Sequence, residues 1–233
     1  MSNKKIPWEE YLSKITDLMG TLTPEQQEDV ISHASVVKYK RNEVIYKEGD
    51  LPTNLMCLVK GKVKIYKEGV GGRAQIIRVL GVPEYFAYRA YMAGEPFITA
   101  ASAFEPCVVL KVPMGVIARI IRDNPDLGWF FIRKLSQDLG QSDERIVNLT
   151  QKHIRGRLAE SLLFLKEHYG LEEDGATLSL YLSREDLANL SNMTTANAIR
   201  TLSAFASEKI VAIDGRKIKL MDLARLENIS RLG

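Results

Sequence analysis

Cysteine is nearly absent from this chain of 233 residues, which carries only Cys57 and Cys107. They make no CxxC pair, so a disulfide framework, a zinc ribbon and a four-cysteine iron–sulfur cluster are excluded. Histidine is scarce as well: His33, His153 and His168 are widely separated and build no ligand or catalytic motif. There is no phosphate-cradling P-loop and no GxGxxG fingerprint, so the chain is not expected to be an enzyme. Long apolar runs are missing too. The longest weakly charged stretch, Ala90 to Leu110, is broken by Glu95, Glu105 and two prolines, and no membrane span is expected. The opening residues have no apolar core of a secretory signal, so the expected location is the reducing cytoplasm. Finally, charge of one sign is lacking. The net charge is +3, and residues 151–233 hold 12 Lys/Arg against 11 Asp/Glu, a balance of +1. Bulk charge therefore does not announce a nucleic-acid binder, and any such argument must rest on local pattern.

What is present is ordinary globular composition, 45% hydrophobic and 26% charged, enough for one large or two modest domains. Residues 1–35 repeat apolar side chains at helical spacing through Trp8, Tyr11, Leu12, Ile15, Leu18 and Met19. Thr23-Pro24-Glu25 then reads as a helix start, with Thr as cap and Pro in the first turn. Residues 36–112 change period. Short, often alternating apolar runs are punctuated by glycines, and Glu68–Arg73 reads as a hairpin loop; this predicts an antiparallel sandwich or barrel. From 113 the pattern is helical again. Ile132, Leu135, Leu139, Ser142, Ile146 and Leu149 step by 3, 4, 3, 4 and 3, which is a heptad seam. The adjoining Trp129, Phe130 and Phe131 are apolar all round and are expected to be buried. The expected domains are 1–112, 113–150 and 151–233.

The C-terminal stretch carries the sharpest local pattern. Ser183-Arg184-Glu185-Asp186 is a capping signature. Leu187, Ala188 and Leu190 face inward from a short helix, and Ser191-Asn192-Met193 is a turn. Thr194 caps a second helix with Ala198, Leu202 and Phe205 as its buried stripe. Its outer face offers Thr195, Ala196, Asn197, Arg200 and Ser203, with no acid before Glu208. A helix entering a DNA major groove needs this: little bulk, hydrogen-bond donors, and no carboxylate against phosphates. Asp214-Gly215 between alternating runs predicts a hairpin, and Arg216, Lys217 and Lys219 make it basic. A capped helix pair alone is common in helical proteins; with a basic hairpin it reads as a winged helix-turn-helix. Expected phosphate contacts are Ser183, Thr194, Asn197 and Arg216, which would fix register. Arg200 suits guanine O6/N7, and Ile199 suits a thymine methyl.

Three stretches carry a family resemblance. Lys40 to Asp50, continued by Leu58-Val59-Lys60-Gly61-Lys62-Val63-Lys64-Ile65-Tyr66, resembles the opening β-roll of a cyclic-nucleotide-binding domain. Arg155 to Leu163 resembles the segment that leads into the DNA-binding domain of the cyclic AMP receptor protein/fumarate-nitrate regulator (CRP/FNR) family. Leu182 to Ala188 is similar to that family's helix-turn-helix entry. The resemblance covers nearly the whole chain in the family's order. It implies an α+β architecture: an N-terminal β-roll (jelly-roll) sensor, a long dimerisation helix and a C-terminal winged helix-turn-helix. It also implies a homodimeric transcription regulator that binds a near-palindromic operator in double-stranded DNA, works with RNA polymerase, and answers a small-molecule effector. Ile132, Leu135, Leu139, Ile146 and Leu149 would form the dimer interface. By the family's pattern, the base-reading positions map onto Thr195, Ala196 and Arg200, with Thr-Ala in place of the usual Arg-Glu.

The family's nucleotide cassette is altered. It carries a Phe-Gly-Glu-Leu-type run and then Arg-Ser/Thr-Ala. Here Ala87 replaces the glycine, Tyr88 the ribose-binding glutamate, and Ile98 the phosphate-binding arginine; Thr99 and Ala100 persist. Without its arginine a buried phosphate lacks a bidentate, charge-assisted contact, so cyclic AMP is not expected in the usual mode. The effector remains unknown, and an anionic or aromatic molecule lined by Tyr85, Tyr88, Arg89, Thr99, Ser142 and Asp143 stands beside a filled cassette that binds nothing. A haem on one of the histidines, a redox role for Cys57 or Cys107, and a cyclic-nucleotide module that does not bind DNA are the alternatives.

Overall fold

The computed structural model describes residues 8–69, 72 and 74–232. Packing divides the chain into two units, Met1–Lys67 with Ile77–Leu139, and Glu68–Ile76 with Gly140–Gly233.

In the first unit the N-terminal helical stretch is three short helices, α1 (Trp8–Leu12), α2 (Thr16–Met19) and α3 (Pro24–His33). The start of α3 is a capping box: Gln26 N donates to Thr23 Oγ1 at 3.3 Å, and Thr23 N donates to Gln26 Oε1 at 3.1 Å. The strands follow: β1 (Ser35–Tyr39), β2 (Val44–Tyr46), β3 (Asn54–Lys60), β4 (Val63–Glu68), β5 (Ala74–Leu80) and β6 (Glu84–Phe86). Then come α4 (Tyr88–Ala93), β7 (Ala100–Ala103), β8 (Cys107–Pro113) and α5 (Met114–Asp123). Two four-stranded sheets result, ordered β1-β8-β3-β6 and β2-β7-β4-β5. β4 and β5 cross the division between the units, and part of the loop joining them lies outside the described residues.

Strand alternation sorts the side chains of β3 and β8 onto two cores. Met56, Leu58, Cys107 and Val109 point between the sheets, where they meet Tyr46, Val63, Ile65, Phe86 and Phe97. Leu55, Cys57, Val59, Val108, Leu110 and Val112 point the other way and pack against α1–α3, α5 and Phe131. Strands buried on both faces read as continuous apolar runs, which is why β3 and β8 do not alternate cleanly in sequence.

Helix α6 (Pro125–Gln151) is continuous across the division. The expectation that Trp129, Phe130 and Phe131 are all buried is corrected. Phe131 is buried and Phe130 packs beside it, whereas Trp129 is 61% exposed. Successive helical residues point about 100° apart, so one of the trio must face away from the core. Trp129 instead shares an outward stripe with Ile132, three residues on. Leu135 also departs from the expected seam, because it packs against the first unit's helical core. Leu139 and Ile146 face outward, 64% and 59% exposed. The side chain of Leu149 lies outside the described residues.

Both thiols belong to these cores and are free. Burial pushes the Cys57 thiol far up, and burial pushes Cys107 up to about 11. Thiolate reactivity needs the opposite shift. The expected outcome is that Ellman's reagent at pH 8 finds no reactive thiol in the native protein and both cysteines after guanidinium unfolding. Rapid native labelling of either would contradict this.

Candidate nucleic-acid interface

In the second unit the end of α6 is followed by α7 (Ile154–Tyr169), which buries Leu158, Ala159, Leu162 and Leu165. The helix pair α8 (Arg184–Leu190) and α9 (Thr195–Ser207) follows, then strands β9 (Val211–Asp214) and β10 (Lys217–Leu220), and last α10 (Leu223–Leu232).

Each turn of the helix pair is held by a local bond. Ser183 Oγ accepts from Asp186 N at 3.0 Å and donates to Asp186 Oδ2 at 2.7 Å. Asn192 takes the left-handed conformation, φ 49°, in the turn, and Met193 N donates to Ala188 O at 3.0 Å. Thr194 Oγ1 accepts from Asn197 N at 3.2 Å and so caps α9. The buried Ser191 Oγ donates to Ser161 Oγ at 2.8 Å, tying the turn to α7. Ala198, Thr201, Leu202 and Phe205 face the core. Thr195, Ala196, Ile199, Arg200 and Ser203 are exposed. A free isoleucine among them, 46% exposed, is poor for a solvated helix and good for a groove contact.

The wing is tied back as well. Asp214 pairs with Lys217, so the two-residue loop is Gly215-Arg216 rather than Asp214-Gly215; Gly215 has φ 55°, a conformation glycine adopts at little cost. Arg184 Nη2 donates to Gly215 O at 2.7 Å. The wing lysines are partnered: Lys219 with Asp174 at 3.2 Å and Lys217 with Glu172 at 3.6 Å. Backbone N–H bonds from Thr177 and Ala176 hold the Asp174 carboxyl well below its ordinary range. Glu208, the first acid after α9 begins, is gripped by Arg155 at 2.8 and 2.9 Å and by Arg225 at 3.0 Å. Hydrogen bonds from Arg155 lower its pKa, and the same guanidinium lies 4.9 Å from the Phe205 ring centroid.

Two arginines stand apart. Arg200 and Arg216 are exposed, and among the described residues neither side chain makes a hydrogen bond or an ion pair. The remaining candidates are less free. Ser183 and Thr194 already use their hydroxyl groups as caps, so a phosphate would share rather than claim them.

Within the first unit the candidate effector residues fall on different faces of the fold. Tyr85 and Tyr88 belong to the helix-facing core, where the Tyr85 hydroxyl donates to Asp17 and the Tyr88 ring lies 5.0 Å from Phe131. Tyr85 points away from the sheet interior because its strand neighbour Phe86 occupies that face. Arg89 is exposed and paired with Glu95 at 2.7 Å. Thr99 meets the Tyr46 phenol, whose pKa burial raises. Ser142 and Asp143 are exposed on the part of α6 that belongs to the second unit. The residues that do fill the sheet interior were not singled out from the sequence: Tyr46 stacks on Phe97 at 3.9 Å between ring centroids, with Phe86 at 6.5 Å. The changed cassette keeps a glycine-like backbone, since Ala87 has φ 71°. His33, His153 and His168 are all exposed. Among the described residues no group of three or more His, Cys, Asp or Glu could hold a metal ion, and no helix is long and apolar enough to cross a membrane.

These two modules, a double-sheet roll and a winged helix pair, define a class: DNA-binding transcription regulators with a cyclic-nucleotide-binding-type domain. Residues 36–124 match the model of the cyclic nucleotide-binding domain, and residues 156–229 match that of the Crp-like helix-turn-helix domain. The chain belongs to the CRP/FNR family. It is 23% identical over 196 residues to a CRP-like cAMP-activated global transcriptional regulator of Mycobacterium tuberculosis, covering 84% of this chain and 88% of that protein. It is 27% identical over 186 residues to a global nitrogen regulator of Nostoc, covering 78% and 83%. Among solved structures, FixK2 from Bradyrhizobium japonicum superimposes with a TM-score of 0.75 at 23% identity, covering 84% of this chain and 96% of that one.

Proposed function

We propose that this regulator works as a homodimer that reads a near-palindromic operator, with half-sites about 34 Å apart between centres, and recruits or blocks RNA polymerase from there. The observation that carries the reading is the pair of unpartnered arginines, Arg200 on α9 and Arg216 at the wing tip. Several other charged groups of this unit are tied into pairs, such as Arg155 with Glu208 and Lys219 with Asp174. A guanidinium left free on the outer face of a capped helix is a donor fork for a guanine edge; one on a wing is a phosphate ligand. Thr195, Ala196 and Ile199 complete the base-reading face, and Ser183, Thr194 and Asn197 position it against the backbone.

Dimerisation rests on the outward stripe of α6. Ile132, Leu139 and Ile146 are large apolar side chains facing solvent at helical spacing, with Trp129 added to the expected set and Leu135 turned inward. Burying each such side chain against a second copy is worth about 1.5–3 kcal/mol.

The effector is not cyclic AMP in the family's usual mode. Ile98, 50% exposed, stands where the phosphate arginine is needed, and the sheet interior holds the Tyr46–Phe97 stack. The name of the M. tuberculosis relative records activation by cyclic AMP; the altered cassette is the reason that property is not carried over.

Three measurements test the reading. In binding to a selected operator, Arg200→Ala loses about 1–3 kcal/mol at one base pair and relaxes specificity there, whereas Arg216→Ala weakens all sequences alike and lowers the salt slope by about one. Identical behaviour of the two variants would refute these roles. Leu139→Glu halves the mass seen by light scattering; an unchanged dimer would place the interface elsewhere. Calorimetric titration with cyclic AMP yields no heat at micromolar concentrations, and saturable micromolar binding would overturn the cassette argument.

A further inference from the structure

A cavity of about 80 Å³ lies within the second unit, and none of its lining residues belongs to the cassette. Arg145 and Asn148 reach it from α6; Arg157, Glu160, Ser161 and Phe164 from α7; and Leu190 from the end of α8. The α7 residues share one helix face, since they recur at i, i+3, i+4 and i+7. A space of this size holds several waters, and therefore a small oxyanion.

The charge of Arg145 has no local counterpart. Arg145 is half-buried, and its Nη2 donates only to carbonyls, Ile76 O at 2.8 Å and Leu190 O at 3.1 Å. It has no carboxylate partner among the described residues. Burial pulls its pKa down, yet a guanidinium stays protonated at neutral pH. The acid that lines the cavity is already committed: Glu160 accepts from Lys152 at 2.6 Å and from Asn148 Nδ2 at 3.2 Å, and it also takes the Ser230 hydroxyl. A half-buried cation without a counter-ion is costly, and here a second guanidinium, Arg157, lines the same space. Phe164 and Leu190 provide apolar walls.

We infer that this cavity is a binding site for a small anion bearing a carboxylate or phosphate group, held between Arg145 of α6 and Arg157 of α7. Planar guanidinium forks suit both kinds of oxyanion. The ligand would clamp the end of α6 to α7 and to the end of α8, the helix that opens the DNA-binding pair. The site shares no lining residue with the cassette, and it needs neither cyclic nucleotide nor haem.

The test is calorimetric titration of the full chain, without DNA, using inorganic phosphate and succinate separately in a chloride buffer. The expected result is saturable binding at one site per chain with at least one of them, in the range of about 0.1–5 mM. Saturation by phosphate alone assigns a phosphoryl ligand, and saturation by succinate alone a carboxylate. Arg145→Met abolishes it, Arg145→Lys weakens it about tenfold because a point charge replaces the fork, and Arg122→Gln, an exposed change on α5, leaves it intact. If Arg145→Met does not fold, the lysine variant carries the comparison. No saturation by either anion up to about 10 mM, or equal binding by wild type and Arg145→Lys, overturns the inference. Because no DNA is present, either failure leaves the DNA-binding reading standing.

Discussion

Strands β3 and β8 are buried on both faces, and the first unit is organised around that constraint. A strand offers alternate residues to opposite sides, so each of these strands must supply two cores at once. Leu58 and Val109 fill the space between the sheets, while Leu55 and Leu110 receive the helices. The same alternation, continued into β6, sends Tyr85 outward to Asp17 and Phe86 inward to Tyr46. The interior is therefore lined by aromatic and aliphatic side chains, and the polar groups of the cassette lie at its margin or outside it.

The second unit shows a different economy. Several of its polar side chains cap helices or tie one element to another: Ser183 and Thr194 as caps, Ser191 to Ser161, Arg184 to the wing loop, Arg155 and Arg225 to Glu208. Such bonds are worth about 1 kcal/mol each, but together they leave little freedom in the angle between α8 and α9 or in the position of the wing. A rigid frame presenting a few free donors is what groove recognition requires, since a donor that must first break an internal ion pair brings less to the complex. Arg145 is an exception of another kind: it is half-buried and bonded to carbonyls rather than presented.

Much of this was legible in the sequence. The caps at Thr23, Ser183 and Thr194 announce helix starts because their hydroxyls answer free N–H groups within three residues. The stripe Ala198, Leu202, Phe205 and the pairing of β9 with β10 are equally local. Errors arose where the decision was not local. Trp129 and Leu135 sit in a helix whose apolar residues exceed one stripe, and spacing alone cannot say which of two stripes meets the core. The turn at Gly215-Arg216 differs by one residue from Asp214-Gly215, a register choice made by strand pairing.

The chain's order of residues by itself determined the modules, their sequence, and the capped, acid-free second helix of the helix-turn-helix, because capping and periodicity act over a few residues. Tertiary structure alone decided which side chains share a space. Tyr85 and Thr99 look like neighbours in a pocket when read along the chain, yet strand alternation turns Tyr85 to the helices while Thr99 stays with Tyr46. Arg145 and Arg157 carry no mark in the sequence that would join them, and they line one cavity only because the chain turns between α6 and α7 and brings the two side chains to the same space.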